Sequence, residues 1–286
     1  MKEQRLVLVH AHPDDEAIST GGTIARYSDD GAHVCLITCT NGELGEIAEV
    51  PELGPADDLR DRLGEIRRAE LEEACRHLGK VDLRMLGFHD SGMAGTPEND
   101  DPKVFVNQKI DDVVRMIAPI LREVRPQVLV TYNESGFYGH PDHIRAHEAA
   151  LAAMDAAADP AYEPELGPPH AVSKVYYTAF PKSLLRTARD MASELGWEND
   201  AFAEDEIEAM GTDDDLIAAA LDVAEYIDRK YDALRAHRTQ LGTTQWALAM
   251  PEQYRVLAFG IEHYVLARSA SPRTDVIASD LFVGIE

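Results

Sequence analysis

Two short segments of the chain concentrate side chains that can hold a metal ion and move protons. Residues 10–16 read HAHPDDE, and residues 138–143 read YGHPDH. Each contains His-Pro-Asp followed directly by a further metal-capable residue, Asp15 in the first segment and His143 in the second. With Glu16 close by, the two segments offer more such groups than a metal ion alone requires.

This composition is suited to the metal-assisted hydrolysis of an amide. A catalytic zinc ion takes three protein ligands, typically histidine and carboxylate, and leaves one position for water. The ion activates that water near neutral pH and polarises the scissile carbonyl. A further carboxylate must take a proton from the water, and a further donor must protonate the leaving amine.

The structural alternative is that these residues only shape turns. A lone histidine or aspartate in a loop is usually a turn former or a helix cap. Two His-Pro-Asp segments that both follow strand-like runs rarely arise by chance, so the functional interpretation is favoured. His10 is different, because it lies in or next to a strand, and a hydrogen-bonded core histidine is the preferred interpretation there.

The elements that must position these segments follow a βα pattern. Apolar runs predict strands at residues 6–9, 34–38, 83–86, 128–132 and 175–178. Helices are predicted near residues 23–27, at 63–78 before Gly79, at 110–121 and from 142 to about 157. Pro119 predicts a kink or an early end of the third of these helices, which Arg125 and Pro126 close.

Buried strands that alternate with helices imply a mostly parallel sheet with helices on both faces. The sequence therefore predicts an α/β, Rossmann-like catalytic core over residues 1–181. Both His-Pro-Asp segments follow predicted strands, and ligand sites of such sheets lie outside the carboxyl ends of the strands. Proline favours the first helical position, so each segment is predicted to lie where a loop becomes a helix.

Residues 182–286 differ in character and predict a smaller, mainly helical region packed on the core as part of one compact unit. Residues 183–215 are acidic and carry no strand signal. Thr212, followed by three aspartates, predicts a helix start. The apolar spacing from Leu216 to Leu234 predicts that this helix continues without interruption.

Composition excludes several classes of function. The net charge of −25 argues against binding to nucleic acid or to an anionic membrane surface. No apolar run is long enough to span a membrane, and the first residues do not resemble a signal peptide, so a cytoplasmic location is expected. Cys35, Cys39 and Cys75 match no zinc motif and are predicted to be small buried hydrophobes. No feature of the sequence specifies an oligomeric state.

The two segments also resemble a known family. Residues 11–16 (AHPDDE) together with 139–143 (GHPDH) are similar to the LmbE-like, or PIG-L, deacetylases. The resemblance continues at residues 38–43, 90–95 and 233–237, and so covers most of the chain. It implies a Rossmann-like fold and the hydrolysis of N-acetyl groups on glucosamine-containing small molecules with zinc, Fe²⁺ or another divalent metal.

The resemblance further implies roles for individual residues. The metal ligands would be His12, Asp15 and His143, and Asp14 would be the general base. The residues that would assist the reaction are His140, which stabilises the intermediate or protonates the amine, Asp142, which sets the protonation of His140, and Tyr138, which polarises the carbonyl. The positions that match substrate contacts are Glu46, Arg67 and Asp90.

Each substrate position has a structural alternative. Arg67 adjoins Arg68 on a helix whose exposed face carries charges in any case. Asp90 could be an ordinary turn former, and Glu46 a solvated loop acid. His237, in residues 233–237, could simply cap the end of its helix.

Within the family, the stretches at 38–43 and 90–95 are most similar to actinobacterial mycothiol-pathway enzymes. One deacetylates N-acetylglucosaminyl-inositol, and the other is the mycothiol S-conjugate amidase, whose length and residues 172–177 this chain resembles. Ser19 stands where the amidase has a lysine, which favours the deacetylase. A deacetylase of another amino sugar is a further alternative.

Two hypotheses come from other classes. A nucleotide-binding Rossmann protein is disfavoured because the first βα turn lacks the G-x-G-x-x-G that approaches a pyrophosphate. A non-catalytic metal- or sugar-binding protein is disfavoured because Asp14 and His140 would be superfluous in it.

Overall fold

A sheet of seven strands runs through the part of the chain that the computed structural model describes, residues 3–48, 53–196, 203–241, 246–270 and 276–285. The strands are, in chain order, β1 (Arg5–His10), β2 (His33–Thr40), β3 (Val81–Phe88), β4 (Val128–Thr131), β5 (Lys174–Ala179), β6 (Ala219–Asp222) and β7 (Ile261–Ser269). They lie in the order β3-β2-β1-β4-β5-β7-β6. The first five are parallel, and β7 runs antiparallel to both β5 and β6. The five predicted strands are confirmed, with ends shifted by no more than two residues.

Helices connect the strands and cover the sheet. They are α1 (Asp15–Ser19), α2 (Gly21–Asp29), α3 (Ala56–Arg60), α4 (Leu63–Leu78), α5 (Ile110–Val124), α6 (Gly136–Gly139), α7 (Pro141–Ala158), α8 (Lys182–Glu194), α9 (Glu204–Met210), α10 (Ile227–Ala236), α11 (Trp246–Ala249) and α12 (Glu252–Phe259). The four helices predicted for the first half are confirmed as α2, α4, α5 and α7. Helix α4 ends where predicted, because Gly79 adopts a φ of 130° that a residue with a side chain rarely takes.

The two faces of the sheet bury separate apolar clusters. Leu6 and Leu8 of β1 point to the face covered by α2, α4 and α10, whereas Val7 and Val9 point to the face covered by α5 and α7. This alternation follows from the two-residue period of a strand. Because both faces are covered, the inner strands are apolar along their whole length, which is why their sequence signal is clear.

Pro119 does not end α5 early. The helix continues to Val124 and closes at Arg125, which adopts a left-handed φ of 55°. Pro119 removes one backbone hydrogen bond. Its neighbours Ile117 and Leu121 are fully buried against the sheet, and this burial outweighs the loss of the bond.

The uninterrupted helix predicted from residue 212 to 234 is wrong over most of its length. Only α10 is helical there, preceded by two 3₁₀ turns and by β6. The side chains of β6 alternate between buried and outward positions, and its partner β7 lies some forty residues farther along the chain. Strand formation therefore depended on a distant pairing that outweighed the local apolar spacing.

The fold class is α/β, with a mostly parallel sheet and helices on both faces, as predicted. Residues 182–286 contribute helices α8 to α12 and also two strands to the same sheet. The boundary at residue 181 stays a prediction. Among the described residues, no helix combines the length and the apolar character needed to cross a bilayer.

The strand order creates a crevice at one edge. Chain connections lead from β1 to β2 on one side and from β4 to β5 on the other, so the order reverses between β1 and β4. The loops that follow two adjacent parallel strands then diverge to opposite sides, and a ligand can bind between them. The segment at residues 12–15 follows β1, and the segment at residues 140–143 follows β4.

Candidate active site

Both His-Pro-Asp segments line one cleft of about 770 Å³ at this switch point. Every residue that the sequence predicted for metal binding, substrate binding or catalysis lines it, except Asp142, which lies buried directly behind. The residues at its wall are His12, Asp14, Asp15, Glu46, Arg67, Asp90, Tyr138, His140 and His143. Leu44, Met93, Phe137 and Phe180 add apolar surface to the same cleft.

The two segments begin their helices differently. Pro141 is the first residue of α7, as predicted, and His140 is its N-cap, with the His140 Nδ1 accepting the backbone N–H of Asp142 at 3.1 Å. Pro13 is not the first residue of its helix, because α1 begins only at Asp15. Asp14 between them has a φ of 125° and a ψ of −29°, which is strained backbone for a residue with a side chain.

Three metal-capable side chains converge at the bottom of the cleft. His12 Nδ1 lies 3.3 Å from His143 Nε2 and 3.5 Å from Asp15 Oδ2, and His143 Nε2 lies 3.4 Å from Asp15 Oδ1. Ligand atoms around a tetrahedral ion with bonds near 2.0–2.1 Å are separated by about 3.4 Å. The three pairwise distances, which involve one oxygen of Asp15 for His12 and the other for His143, are close to this value. The three histidines of the two segments, His12, His140 and His143, also lie within 4.8 Å of one another.

The charges of this cluster support one another. Burial alone would raise the pKa of Asp15, but His143 and His12 beside it outweigh burial and hold that pKa well below its usual range. Burial alone would likewise lower the pKa of His12, and its hydrogen bonds to Asp142 and Asp15 raise it well above the usual value. The site thus balances cationic and anionic groups in a desolvated place.

Asp142 is fully buried and acts on His12. Its Oδ2 lies 3.2 Å from His12 Nε2 and accepts the backbone N–H of Ser91 at 2.9 Å, and its Oδ1 accepts the Ser91 hydroxyl. A carboxylate that accepts the Nε2 hydrogen leaves the His12 Nδ1 lone pair free for a metal. The Asp142 carboxylate is thus hydrogen-bonded to His12, and the hydrogen bond from Asp142 to His140 comes from its backbone N–H.

Tyr132, which sequence reasoning did not single out, completes the cluster. Its hydroxyl donates to Asp15 Oδ2 at 2.7 Å and accepts the backbone N–H of Ala11 at 2.8 Å. Its ring stacks on that of His143, with centroids 4.2 Å apart. Its position directly after β4 could have indicated this role, because the carboxyl end of β4 lies next to that of β1, which the first segment follows.

His10 is a hydrogen-bonded core histidine, as preferred from the sequence. It is fully buried, with Nδ1 3.2 Å from the Tyr132 hydroxyl and Nε2 3.0 Å from Thr20 Oγ1. Burial lowers its pKa, which favours the neutral ring. The three cysteines are free and buried, also as predicted.

Asp14 lies beside the metal-capable cluster without joining it. Arg67 Nη2 is 3.1 Å from Asp14 Oδ2 and donates to the carbonyl of Pro13 at 2.5 Å, while the backbone N–H of Asp14 donates to Glu16 Oε2 at 3.0 Å. Burial raises the pKa of Asp14 to about 6, although Arg67 opposes the rise. A carboxyl group with such a pKa exchanges protons readily near neutral pH.

His140 and Tyr138 form the other wall. Burial, with His12 and His143 nearby, lowers the pKa of His140 to about 3. A neutral His140 whose Nδ1 accepts an N–H must carry its hydrogen on Nε2. Tyr138 is 42% exposed at the rim, and its ring centroid lies 5.0 Å from that of His143.

The predicted substrate positions share the cleft but differ in their bonding. Arg67 is 3% exposed and donates to Gly42 O at 2.6 Å as well as to Pro13 O, so the alternative of a solvated helix charge is wrong. Asp90 is a turn former, with Oδ1 accepting the Gly92 N–H at 2.8 Å, and it also lies 3.7 Å from His12 Nε2. Glu46 is exposed at the wall of the cleft.

The chain is similar to known proteins along nearly its whole length. The family model for GlcNAc-PI de-N-acetylase (PIG-L) matches residues 7–154. The chain is 45% identical to a protein of Geodermatophilus obscurus over 99% of this chain and 98% of that one, and 43% identical to one of Thermobifida fusca over 99% and 100%. Both relatives are named 1D-myo-inositol 2-acetamido-2-deoxy-α-D-glucopyranoside deacetylase.

Solved structures show the fold across different reactions. The N,N'-diacetylchitobiose deacetylase of Pyrococcus horikoshii superposes with a TM-score of 0.65 at 19% identity, over 96% of this chain and 90% of that one. The 4-carboxy-2-hydroxymuconate hydratase GalB of Pseudomonas putida superposes with a TM-score of 0.58 at 18% identity, over 95% and 99%. A deacetylase and a hydratase share the architecture, so the reaction must be argued from side chains.

The match of the family model, the near full-length relatives and the cluster of His12, Asp15 and His143 beside Asp14 agree. The chain belongs to the PIG-L family of de-N-acetylases.

Proposed function

We propose that the protein removes the acetyl group from N-acetylglucosaminyl-inositol, with water as the second substrate and acetate and the free amine as products. Relatives that share 43–45% of their residues with it over nearly the whole chain carry that name. One observation supports the chemistry. The metal-capable side chains of His12, Asp15 and His143 lie together, and the carboxylate of Asp14 lies beside them but pairs with Arg67. A cytoplasmic location, expected from the sequence, belongs to the same proposal.

The metal ligands in this proposal are His12 through Nδ1, His143 through Nε2 and Asp15 through its carboxylate. Two histidines and one carboxylate are a common set for catalytic zinc, and Fe²⁺ or another divalent ion is the alternative. When bound, the ion would supply Lewis acidity, which polarises the acetyl carbonyl and lowers the pKa of water. Asp142 and Tyr132 orient these ligands through His12 Nε2 and Asp15 Oδ2.

Asp14 is the proposed general base. It takes one proton from the water whose oxygen forms the new bond to the carbonyl carbon. Its pKa of about 6 allows it to accept this proton and then release it to the amine nitrogen as the C–N bond breaks. Arg67 holds the carboxylate in place through its contact with Oδ2.

His140 is proposed to stabilise the negative charge that develops on the carbonyl oxygen. With Nδ1 occupied by the Asp142 N–H, its Nε2–H is free to donate to that oxygen. Its low pKa favours a neutral hydrogen-bond donor over a cationic acid. Tyr138, at the rim, is the second candidate donor. Asp142 thus sets the tautomer of His140 through its backbone and orients His12 through its carboxylate.

Glu46 and Asp90 are proposed to accept hydrogen bonds from hydroxyls of the sugar and the inositol. Both line the cleft, and carboxylates are suited to vicinal hydroxyl groups. Arg67 lines it too, but its Nη1 and Nη2 both bind carbonyl groups of the chain, so its main role in this proposal is to hold Asp14.

A mycothiol S-conjugate amidase is the second candidate, and one observation favours it. Leu44 is 37% exposed and Met93 is 47% exposed, and both line the cleft. Such apolar surface could contact the apolar part of a conjugate larger than an acetyl group. A deacetylase of another amino sugar remains a third possibility.

One experiment separates these candidates. The purified protein is analysed for bound metal, and amine release is measured with N-acetylglucosaminyl-inositol, free N-acetylglucosamine and a mycothiol conjugate. We expect metal to be present and the first substrate to give the largest kcat/KM, with activity nearly abolished in Asp14→Ala.

The outcomes test the mechanism and the identity of the substrate separately. Absence of metal, or full activity of Asp14→Ala, contradicts the mechanism. A preference for the conjugate or for free N-acetylglucosamine, with Asp14 still required, overturns only the substrate.

A further inference from the structure

A buried pair, Glu16 and His237, lies behind the catalytic segment and has no part in the proposed reaction. Both side chains are fully buried, and His237 Nε2 lies 2.7 Å from Glu16 Oε1. Burying a carboxylate costs free energy unless its partners compensate. The second oxygen of Glu16 shows what this carboxylate does, because Oε2 accepts the backbone N–H of Asp14 at 3.0 Å.

The peptide unit between Pro13 and Asp14 is held at both of its polar atoms. Its carbonyl oxygen accepts Arg67 Nη2, and its N–H donates to Glu16. This peptide leads into the strained Asp14, whose own carbonyl accepts the N–H groups of Ala17 and Ile18 at the start of α1. A backbone at φ 125° is unfavourable for a residue with a side chain and persists only where its surroundings enforce it.

His237 belongs to a distant part of the chain whose position is well defined. It is the residue that ends α10, and its carbonyl accepts the N–H groups of Gln240 and Leu241. Its side chain does more than the helix capping that the sequence suggested, because it reaches across to α1. Among the described residues, its Nδ1 has no hydrogen-bond partner, so its polar contact is with Glu16.

We infer that His237 is a positioning residue for the reaction: it fixes Glu16, and Glu16 fixes the Pro13–Asp14 peptide so that the Asp14 carboxylate faces the cleft. This inference rests on the proposed role of Asp14 as the general base. It also accounts for the glutamate that follows the two aspartates in the first segment. The C-terminal part of the chain thereby contributes to catalysis without touching the substrate.

A purely structural role is the competing explanation, in which the pair only docks α10 on the core. The same helix offers a matched control. Lys230 is 1% exposed, and its Nζ donates to Glu262 Oε1 at 2.6 Å. Glu262 accepts the N–H groups of Gly22 and Thr23 at the start of α2, whereas the N–H of Asp14 is bonded to Glu16.

The test compares three variants of the full chain. His237→Leu removes the donor, His237→Gln keeps an N–H at a similar reach, and Lys230→Met breaks the control pair. We expect His237→Leu to lower kcat about 100-fold, the size typical of a misplacement near 1 Å, with KM and metal content little changed. His237→Gln should recover most of the loss, and Lys230→Met should lower thermal stability but not the kcat of the folded enzyme.

A second readout needs no substrate. A crystal structure of His237→Leu, or of Glu16→Gln if that variant does not fold, should show Asp14 with a φ outside the positive range. The inference is overturned if Asp14 keeps its backbone, if the leucine and glutamine variants lose kcat equally, or if Lys230→Met loses as much. If the wild type deacetylates none of the three sugars, the proposed function fails while the Asp14 backbone still decides the inference.

Discussion

The two His-Pro-Asp segments are close copies in sequence but are held in different ways. Residues 140–143 begin α7 directly, and His140 adopts an ordinary N-cap backbone with φ −64° and ψ 128°. Residues 12–15 contain the strained Asp14, which is held by Arg67 and by the adjacent Glu16, itself bonded to the distant His237. The same three residue types thus produce one segment fixed by local rules and another that depends on distant contacts.

The two segments are also joined to each other. The Asp142 carboxylate of the second segment binds His12 of the first, and Tyr132, at the end of β4, binds Asp15. The ligands of the first segment therefore depend for their orientation on residues at and after the carboxyl end of β4. The comparison predicts that matched changes in the two segments have different consequences.

The largest expected effect is that of Asp14→Asn. The amide keeps the shape of the side chain but cannot accept the proton, so kcat should fall roughly 1,000-fold, within the usual range for general acid–base catalysis. Metal affinity should be nearly unchanged, because Asp14 lies outside the ligand set. Steady-state kinetics with a metal titration measures both. If Asp14→Asn keeps its activity, Asp14 is not the general base, and the proposed difference in role between Asp14 and Asp142 is wrong.

The same change in the other segment, Asp142→Asn, should act on the metal first. The loss of the charge that faces His12 Nε2 should weaken metal binding about 10- to 100-fold, as for other residues that orient ligands. Competition with a chelator gives the affinity. If turnover falls at saturating metal while affinity is unchanged, Asp142 acts on His140 and not on His12.

Tyr132→Phe tests the bridge between the segments. Without the hydroxyl, the buried Ala11 N–H loses its acceptor, which should destabilise the protein by about 1–3 kcal/mol. Metal affinity should fall roughly tenfold, because Asp15 loses a donor. Tyr176→Phe is the control: its buried hydroxyl donates to Leu281 O, away from the cleft, so that variant should lose stability without losing metal affinity.

The smallest effect is the sharpest test of backbone strain. Glycine accepts a φ of 125°, so Asp14→Gly should be more stable than Asp14→Ala by about 1 kcal/mol. At His140 the order should reverse, with glycine less stable than alanine by about 0.5–1 kcal/mol. Denaturant unfolding of the four metal-free variants gives the values. If the glycine variant is less stable than the alanine variant at both positions, the first segment is not strained.

Sequence reasoning succeeded where signals were local. The parallel strands are apolar along their length because both faces are covered, and α4 ends at a glycine that adopts a positive φ. The two metal-capable segments of the cleft were found because they follow predicted strands, whereas Glu46, Arg67 and Asp90 were implied by the family resemblance. The roles of individual residues, however, stay a proposal that rests on their geometry and on the family.

It failed where a partner was distant in the sequence. The spacing from Leu216 to Leu234 indicated one helix, but pairing with β7 made β6 a strand. Arg67 was taken as equally suited to an exposed helix face, yet it is buried against Pro13 and Gly42. Neither outcome could be recognised from the neighbouring sequence, because each depends on residues that are distant along the chain and meet only in the folded protein.

The sequence by itself determined the chemistry that is available, which is two clusters of histidine and aspartate placed after strands. The tertiary structure decided how those groups are divided. It brought the side chains of His12, Asp15 and His143 close together and placed the Asp14 carboxylate beside Arg67. It also brought Tyr132, Asp142 and His237 behind them. The physical reason is that residue types and their spacing along the chain define which donors exist, whereas orientation and pKa depend on buried neighbours from other strands and helices.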